Sequence, residues 1–546
     1  MFESKKLSSD VILYLFLIFF FVFNLYKFYD LPPRIDQSFH IYWLLKIINS
    51  DLNIITNLNE IVSKFSNKNS AIYELFRVLA SPNNLFSYYF QSFFIITLSL
   101  VYYLFNFFFL NEWILFFNFF SILFATLNVL ISFKILKFLI NDFGFIDIKK
   151  SNELITIFIL NFSSYYLFNF SPLGIHNFSS FFFLLTIYFF LKWRNNGRVS
   201  DYLFFGFLSS ISAICHISNL IFLIPVIIFF TLASIESIKI KFKLISYYLA
   251  PIALIILPLI FLIFINSSQD YLPKEGPQNL IINLITYFKN WFYLIGPISF
   301  IVFINFFFKK NKKNKNVLFL YYLIFFHLFL FLIIPLNESY IRNYLYIAYL
   351  YLIIFSFFVI TINNRNKKII LFFLIINFGL NISLILDDRF LSVINKDFHN
   401  SYFSNNKSIE LFGRSIRNLE NSKNQILILP YDQNSTNYIY TYKPANFDEN
   451  LLLTDMYYDH SNNSPKKSLS IIEKLFQSNK RDFVLISIVK IDNLNEFVKN
   501  FKTIEHSINN LDKCKINKKK IFDKKLYFFN GYYNLSIYKY DCTLNE

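Results

Sequence analysis

Glycine is scarce in this chain, with nine residues in 546. The loops that cradle nucleotide phosphates through their backbone amides need several glycines at fixed close spacing, and no such run occurs. Cysteine and histidine are also few, three and seven, and they show no metal-ligand spacing. No nucleophile elbow of the Gly-x-Ser-x-Gly type is present. Charge is thin: 16% of residues are Asp, Glu, Lys or Arg, where a soluble domain carries about a quarter. These gaps exclude the usual nucleotide-gripping folds, Cys/His zinc modules and serine hydrolases of the α/β type.

What fills the chain is apolar. Hydrophobic residues make up 55% and aromatics 21%, and the mean hydropathy is +0.43. The apolar residues fall in runs of about 18 to 25, the length that crosses a hydrocarbon core of roughly 30 Å. They cover residues 11–28, 88–110, 113–138, 153–170, 174–192, 201–216, 217–235, 244–265, 291–308, 316–335, 343–362 and 369–386. The net charge of +17 resembles a nucleic-acid signal. However, the basic residues before 390 sit in short loops between apolar runs, as the positive-inside rule requires. Lys149/Lys150, Lys192/Arg194/Arg198, Lys239/Lys241/Lys243, Lys309 to Lys315 and Arg365/Lys367/Lys368 mark cytoplasmic loops. No nucleic-acid partner is expected.

Lys5 and Lys6 hold the start of the first run in the cytoplasm, and no small-residue cleavage site follows it, so it reads as an uncleaved first helix. Charge alternation then conflicts with the number of runs unless one fails to cross. Residues 88–110, interrupted by Gln91 and Asn106, read as re-entrant or interfacial. The expected fold is mainly α: a polytopic membrane helical bundle of about 11 spans over residues 1–390, with a first outer loop at 29–87. A small extracytoplasmic α/β domain follows over 391–546. In that domain Gln425 to Tyr431 and Phe483 to Ile491 read as buried strands. Ser468 to Phe476 and Leu494 to Phe501 read as helices, and Lys525 to Tyr540 as a hairpin turning at Asn530-Gly531. Cys514 and Cys542 would lie outside the cytoplasm, where a disulfide is possible; Cys215 reads as a small packing residue.

Three outward-facing segments combine residue types capable of chemistry. Asp36 follows Pro32-Pro33 with His40 four residues on, hence on the same helix face. It suits a general base toward an acceptor hydroxyl or, equally simply, a helix N-cap. His176 and Asn177 follow the helix break made by Pro172 and Gly174; they are placed to reach a sugar or to satisfy a helix start. Glu338, Arg342 and Tyr344 form the third segment. An outward Arg runs against the positive-inside bias and suits a bidentate phosphate clamp, or an i to i+4 ion pair with Glu338. His216 lies beside an apolar run and is placed to line a cavity. His327 reads as a helix–helix hydrogen bond.

In order and spacing, residues 10–390 resemble the GT-C superfamily of membrane glycosyltransferases, most closely the branch of protein O-mannosyltransferases and lipid A aminoarabinose transferases. Asp36-Gln37-Ser38-Phe39-His40-Ile41-Tyr42-Trp43 resembles the family's catalytic first outer loop, with Gln37 where an acidic residue is usual. Asn111-Glu112-Trp113 resembles its next helix start, Phe181 to Trp193 its aromatic helix, and Gly206 to Pro225 its helical hairpin, with His216 where a Lys is common. Arg342-Asn343-Tyr344 resembles its late Arg-Tyr pair, and His176 stands where an Asp is frequent.

The resemblance implies transfer of a sugar from a polyprenyl-phosphate donor, with inversion, to a glycan, lipid or protein acceptor on the outer face. Asp36 would be the base and Arg342 the phosphate clamp. His40, His176, Asn177, His216, Glu338 and Tyr344 would contact the donor. It implies no cofactor and no metal. The expected setting is the cytoplasmic membrane of a bacterium, multi-pass, with membrane lipid around it, the N-terminus cytoplasmic and the C-terminal domain periplasmic. Rival readings are an O-antigen or capsule polymerase and a non-catalytic transport or envelope-assembly protein.

Overall fold

The structure is a computed structural model. It describes residues 9–28, 113–142, 155–160, 175–194, 198–216, 218–234, 236–266, 280–296, 298–306, 315–333 and 345–361, the strands named below, and isolated positions between them. The described part is mainly helical, with a sheet near the C-terminus. The helices are α1 (Ser9–Phe28), α2 (Trp113–Asp142), α3 (Ile175–Trp193), α4 (Val199–Cys215), α5 (Ser218–Leu232) and α6 (Ile238–Asn266). They continue as α7 (Leu280–Ile295), α8 (Ile298–Phe306), α9 (Lys315–Ile333) and α10 (Leu345–Thr361). The chain divides into two compact units. One takes in residues 1–29, 82–94 and 115–403; the other takes in 30–81, 95–114 and 404–546.

Most expected apolar runs coincide with helices, because a run without charge or breaker satisfies its own backbone only as a helix. One expectation is corrected. The run 291–308 is not one helix but α7 and α8, starting eleven residues earlier at Leu280. Gly296 ends α7 at φ 64°, the left-handed conformation a helix C-terminus takes, and Pro297 follows in sequence. Two described helical stretches are long and apolar enough to cross a membrane, Leu115–Asp142 and Ile238–Pro258. Whether 88–110 spans, and whether 468–476 and 494–501 are helical, falls outside the described residues or almost so.

The helical unit has an apolar interior and an apolar exterior. Only 22% of the apolar window of α6 is buried against protein, and Phe242, Leu254 and Leu257 stand exposed along it. α1 exposes Leu15, Ile18, Phe19, Val22 and Phe23, and α7 exposes Leu280, Ile281, Ile282 and Ile285. Each such side chain is worth roughly 1.5–3 kcal/mol when removed from water, so this surface calls for an apolar surround. Inside, α3 and α4 pack antiparallel: Phe190 and Trp193 near the end of α3 meet Tyr202 and Phe205 near the start of α4. α4 crosses α6 at Gly206, where a side-chain carbon would come within 2.2 Å of the Tyr248 carbonyl oxygen. Only glycine allows backbones this close. Ser209 and Tyr248 are hydrogen-bonded beside the crossing at 3.1 Å.

One end of this unit collects the charged loops. Asn316 at the start of α9 donates to Asp142 at the end of α2, 2.8 Å. Burial lowers the Arg194 guanidinium's proton affinity, and the nearby Asp142 carboxylate partly restores it. Tyr202 is 3.3 Å from Thr231 at the end of α5, and Lys241 donates to the Leu232 carbonyl at 2.7 Å. The basic loops after α3, between α5 and α6 and before α9 therefore share one end. The starts of α3 and α10 and the end of α4 lie at the other.

The C-terminal sheet has five strands: β1 (Ile426–Pro430), β2 (Leu451–Thr454), β3 (Phe483–Lys490), β4 (Cys514–Phe528) and β5 (Gly531–Leu544). Their order is β2-β1-β3-β5-β4. β1 is parallel to β2 and to β3, while β5 is antiparallel to β3 and β4. The hairpin is longer than the sequence suggests, and its register closes on Phe528↔Gly531 rather than centring on Asn530-Gly531. The lysine-rich stretch before 525 is unpromising by β propensity, yet β4 is an edge strand, where lysine is favoured. β2 was not expected at all. In the hairpin, Cys514 is opposite Leu544 and Cys542 is opposite Ile516. The two cysteines thus hold diagonal positions of the strand pair.

Candidate functional site

The end of the helical unit away from the basic loops holds two of the residues singled out by sequence. His176 is in the first turn of α3. His216 is the C-cap of α4, with extended backbone at φ −157° and ψ 106°. Its N–H still reaches the Ser212 carbonyl at 2.9 Å, and its own carbonyl accepts from the Asn219 N–H at 3.0 Å. The extended backbone at His216 thus ends α4 before α5 begins at Ser218. Because α3 and α4 are antiparallel, the break brings the His216 ring to 5.7 Å from that of His176, at 49°. Both histidines are partly exposed. Tyr346, in the first turn of α10, lies 6.3 Å from His216 and packs on Phe183 and Phe222.

Beneath the imidazoles is a buried polar layer. Asn219 donates to Ser179 Oγ and to Ser212 Oγ, each at 2.6 Å, and Ser212 Oγ donates to the Ser179 carbonyl at 3.3 Å. Asn219 follows Ser212 by seven residues, about 10 Å of rise in a straight helix; their contact therefore requires the chain to fold back at the break. Asn219 is fully buried, and its Oδ1 has no hydrogen-bond partner among the described residues. Ser179 is three residues after His176, on the same face of α3, so the layer also fixes the rotation of α3 under its histidine.

Asn177 has a different position from the one expected of a sugar contact. It is buried: its Nδ2 donates to Ser121 Oγ at 3.1 Å, and its carbonyl accepts from Asn128 Nδ2 at 3.0 Å. Ser121 and Asn128 are two turns apart on α2, and Phe124 between them packs against Phe178 at 4.3 Å. Asn177 thus clamps α3 to α2 and sets the height of His176. His327 lies deeper, with Nδ1 3.2 Å from the Tyr287 hydroxyl, which is 3.3 Å from the Tyr351 hydroxyl. Cys215 is buried.

Sequence reasoning had no place for Tyr346, Ser179, Ser212 or Asn219. The available signal was cost: polar side chains inside apolar runs find partners or function, and Ser212, His216 and Asn219 fall within eight residues. Asp36, His40, Glu338, Arg342 and Tyr344 lie outside the described residues. Tyr346 follows Arg342 by four residues and Tyr344 by two. Chemically, two imidazoles this close can donate to, or accept from, neighbouring oxygens of one ligand. Tyr346 is buried, and its ring, packed on Phe183 and Phe222, backs His216 from beneath. No protein-family model matches the chain, and no curated protein matches it in sequence.

Proposed function

We propose that the protein is a multi-pass membrane glycosyltransferase of the GT-C kind. It moves a sugar from a polyprenyl-phosphate donor to an acceptor on the membrane face opposite the basic loops. The observation that carries this reading is the meeting of His176, His216 and Tyr346 at that end, drawn from three helices that the sequence places beside outer loops. The apolar outer surface of α1, α6 and α7 supports membrane embedding, with about 11 spans once the remaining apolar runs are included. The donor's tail would then lie in lipid, and its phosphate and sugar at the histidine end. Asp36 acts as base on the acceptor hydroxyl, with inversion at the anomeric carbon. Arg342 offsets the charge that grows on the departing phosphate, and the two histidines, backed by the buried Tyr346, orient the sugar. No residue of this scheme calls for a metal.

The test is Asp36→Asn, assayed by transfer of radiolabelled sugar from membrane lipid to acceptor. The amide keeps the size and capping capacity of the carboxylate but takes no proton. Transfer should fall about 10²- to 10⁴-fold, with the purified chain as stable as before; undiminished transfer sinks the assignment. A second reading, a transporter, gains from one feature: the buried polar layer of Asn219, Ser179 and Ser212, since polar groups inside membrane helices mark substrate pathways. It predicts that Asp36→Asn is silent and that Asn219 variants abolish uptake in reconstituted vesicles.

A further inference from the structure

The β4–β5 hairpin combines three features that a buried sheet edge has no use for. β4 carries six lysines and one acid in 15 residues, on the outermost strand of the sheet. Lys518, Lys519, Lys520, Lys524 and Lys525 are all exposed. The one acid, Asp523, is engaged across the strand pair by Asn534 Nδ2 at 3.1 Å. The register puts Lys518, Lys520 and Lys525 opposite Tyr540, Tyr538 and Asn534, alternate residues of β5 and therefore one face. On that face the Lys518 ammonium lies 4.4 Å from the Tyr538 ring centroid. Burial and the Asp523 carboxylate push the Tyr538 phenol up, so it stays neutral.

The hairpin's tip is aromatic. β3 stops at the pair Lys490↔Tyr533. Beyond it the hairpin continues through Tyr527↔Tyr532 and Phe528↔Gly531. Aromatic rings and lysine ammonium groups on one hairpin are the side chains a bilayer surface takes: rings at the interface, ammonium groups among phosphates.

We infer that the β4–β5 hairpin docks the C-terminal unit on the anionic headgroup surface of the membrane, lying along it with the Lys518/Lys520/Lys525 face toward the phosphates and the aromatic tip at the same surface. The inference rests on the membrane-embedded reading in one respect. The same chain is anchored in the bilayer, so the hairpin meets the surface at high effective concentration, and weak contacts suffice. Lysines on an edge strand also prevent edge-to-edge pairing. That role is indifferent to lipid composition, which separates the two accounts.

The experiment uses the full chain with bilayers of phosphatidylcholine alone, or of phosphatidylcholine and phosphatidylglycerol at about 2:1. Lysines are acylated briefly and mapped by mass spectrometry. Modification of Lys518, Lys520 and Lys525 should fall about threefold or more in the anionic bilayers, and recover in about 0.5 M salt, where the Debye length is short. Amide exchange over 526–533 should slow in the same samples. The combined variant Lys518→Glu, Lys520→Glu and Lys525→Glu should abolish that slowing while exchange in β3 stays as in the parent. Equal modification in both bilayers, or tip protection that survives the charge reversal, overturns the inference. Release of the whole chain by alkaline carbonate would instead overturn the embedded reading, and composition-dependent modification would then still report docking.

Discussion

Gly206→Ala sets two effects of opposite sign against each other. In an exposed helix the change gains about 1 kcal/mol, because alanine is the better helix former. At position 206 the new Cβ would lie 2.2 Å from the Tyr248 carbonyl oxygen and 3.1 Å from two carbons of the Pro251 ring. A normal carbon–oxygen contact is about 3.3 Å or more, so α4 and α6 must separate by roughly 1 Å. The obstacle is helix backbone and a proline ring, neither of which can rotate away. The separation also stretches the Ser209–Tyr248 hydrogen bond from 3.1 Å. Overpacking of this kind costs about 1–3 kcal/mol, and a rigid obstacle puts it at the upper end, so a net loss near 2 kcal/mol is expected. Thermal unfolding of the detergent-solubilised full chain, followed by fluorescence-detected size exclusion, should show a midpoint lower by roughly 2–4 °C. A midpoint unchanged or raised refutes the close crossing. Since α4 ends in His216, sugar transfer should fall with it even below the melting range.

Asn219→Ala removes the donor shared by Ser179 and Ser212; buried hydrogen bonds between membrane helices are worth about 0.6–1.7 kcal/mol each, so a loss of roughly 1–3 kcal/mol is expected by the same unfolding assay. Asn219→Asp keeps the shape but brings an acid to a fully buried site and should be worse than alanine; a stability equal to the parent would contradict the network. Reporter fusions after Lys310 and after Glu546 should report opposite compartments, and one compartment for both would sink the proposed topology. Cys514 and Cys542, placed diagonally by the hairpin register, should both react with a maleimide after unfolding without reductant; a disulfide-linked peptide in mass spectrometry would show that the register shifts.

The helices, the strands at 426–430 and 483–490 and the existence of the hairpin follow from sequence, because each is a local matter. An uncharged apolar run becomes a helix, and Asn530-Gly531 announces a turn; Gly296 before Pro297 is an equally local stop signal, which the reading of 291–308 as one run passes over. Charge placement is equally legible: the loops carrying Lys192, Arg194, Lys241 and Lys315 were grouped by sign alone, and the helices bring them to one end. Long-range pairing is not local. Nothing near Asn219 says that it meets Ser179, forty residues earlier, and nothing near Asn177 says that it faces α2 rather than a ligand. The same holds for the parallel pairing of β2 with β1, which a crossover through 431–450 makes and which leaves no periodic signature in either strand. His176 and His216 were each conspicuous in the sequence as polar groups beside apolar runs, but 40 residues separate them. Their meeting depends on the antiparallel packing of α3 and α4 and on the extended backbone of His216, which stops α4 at the level where α3 begins. Sequence determined which side chains are costly to place in an apolar surround; the packing of the helices decided which of them share that cost at one site.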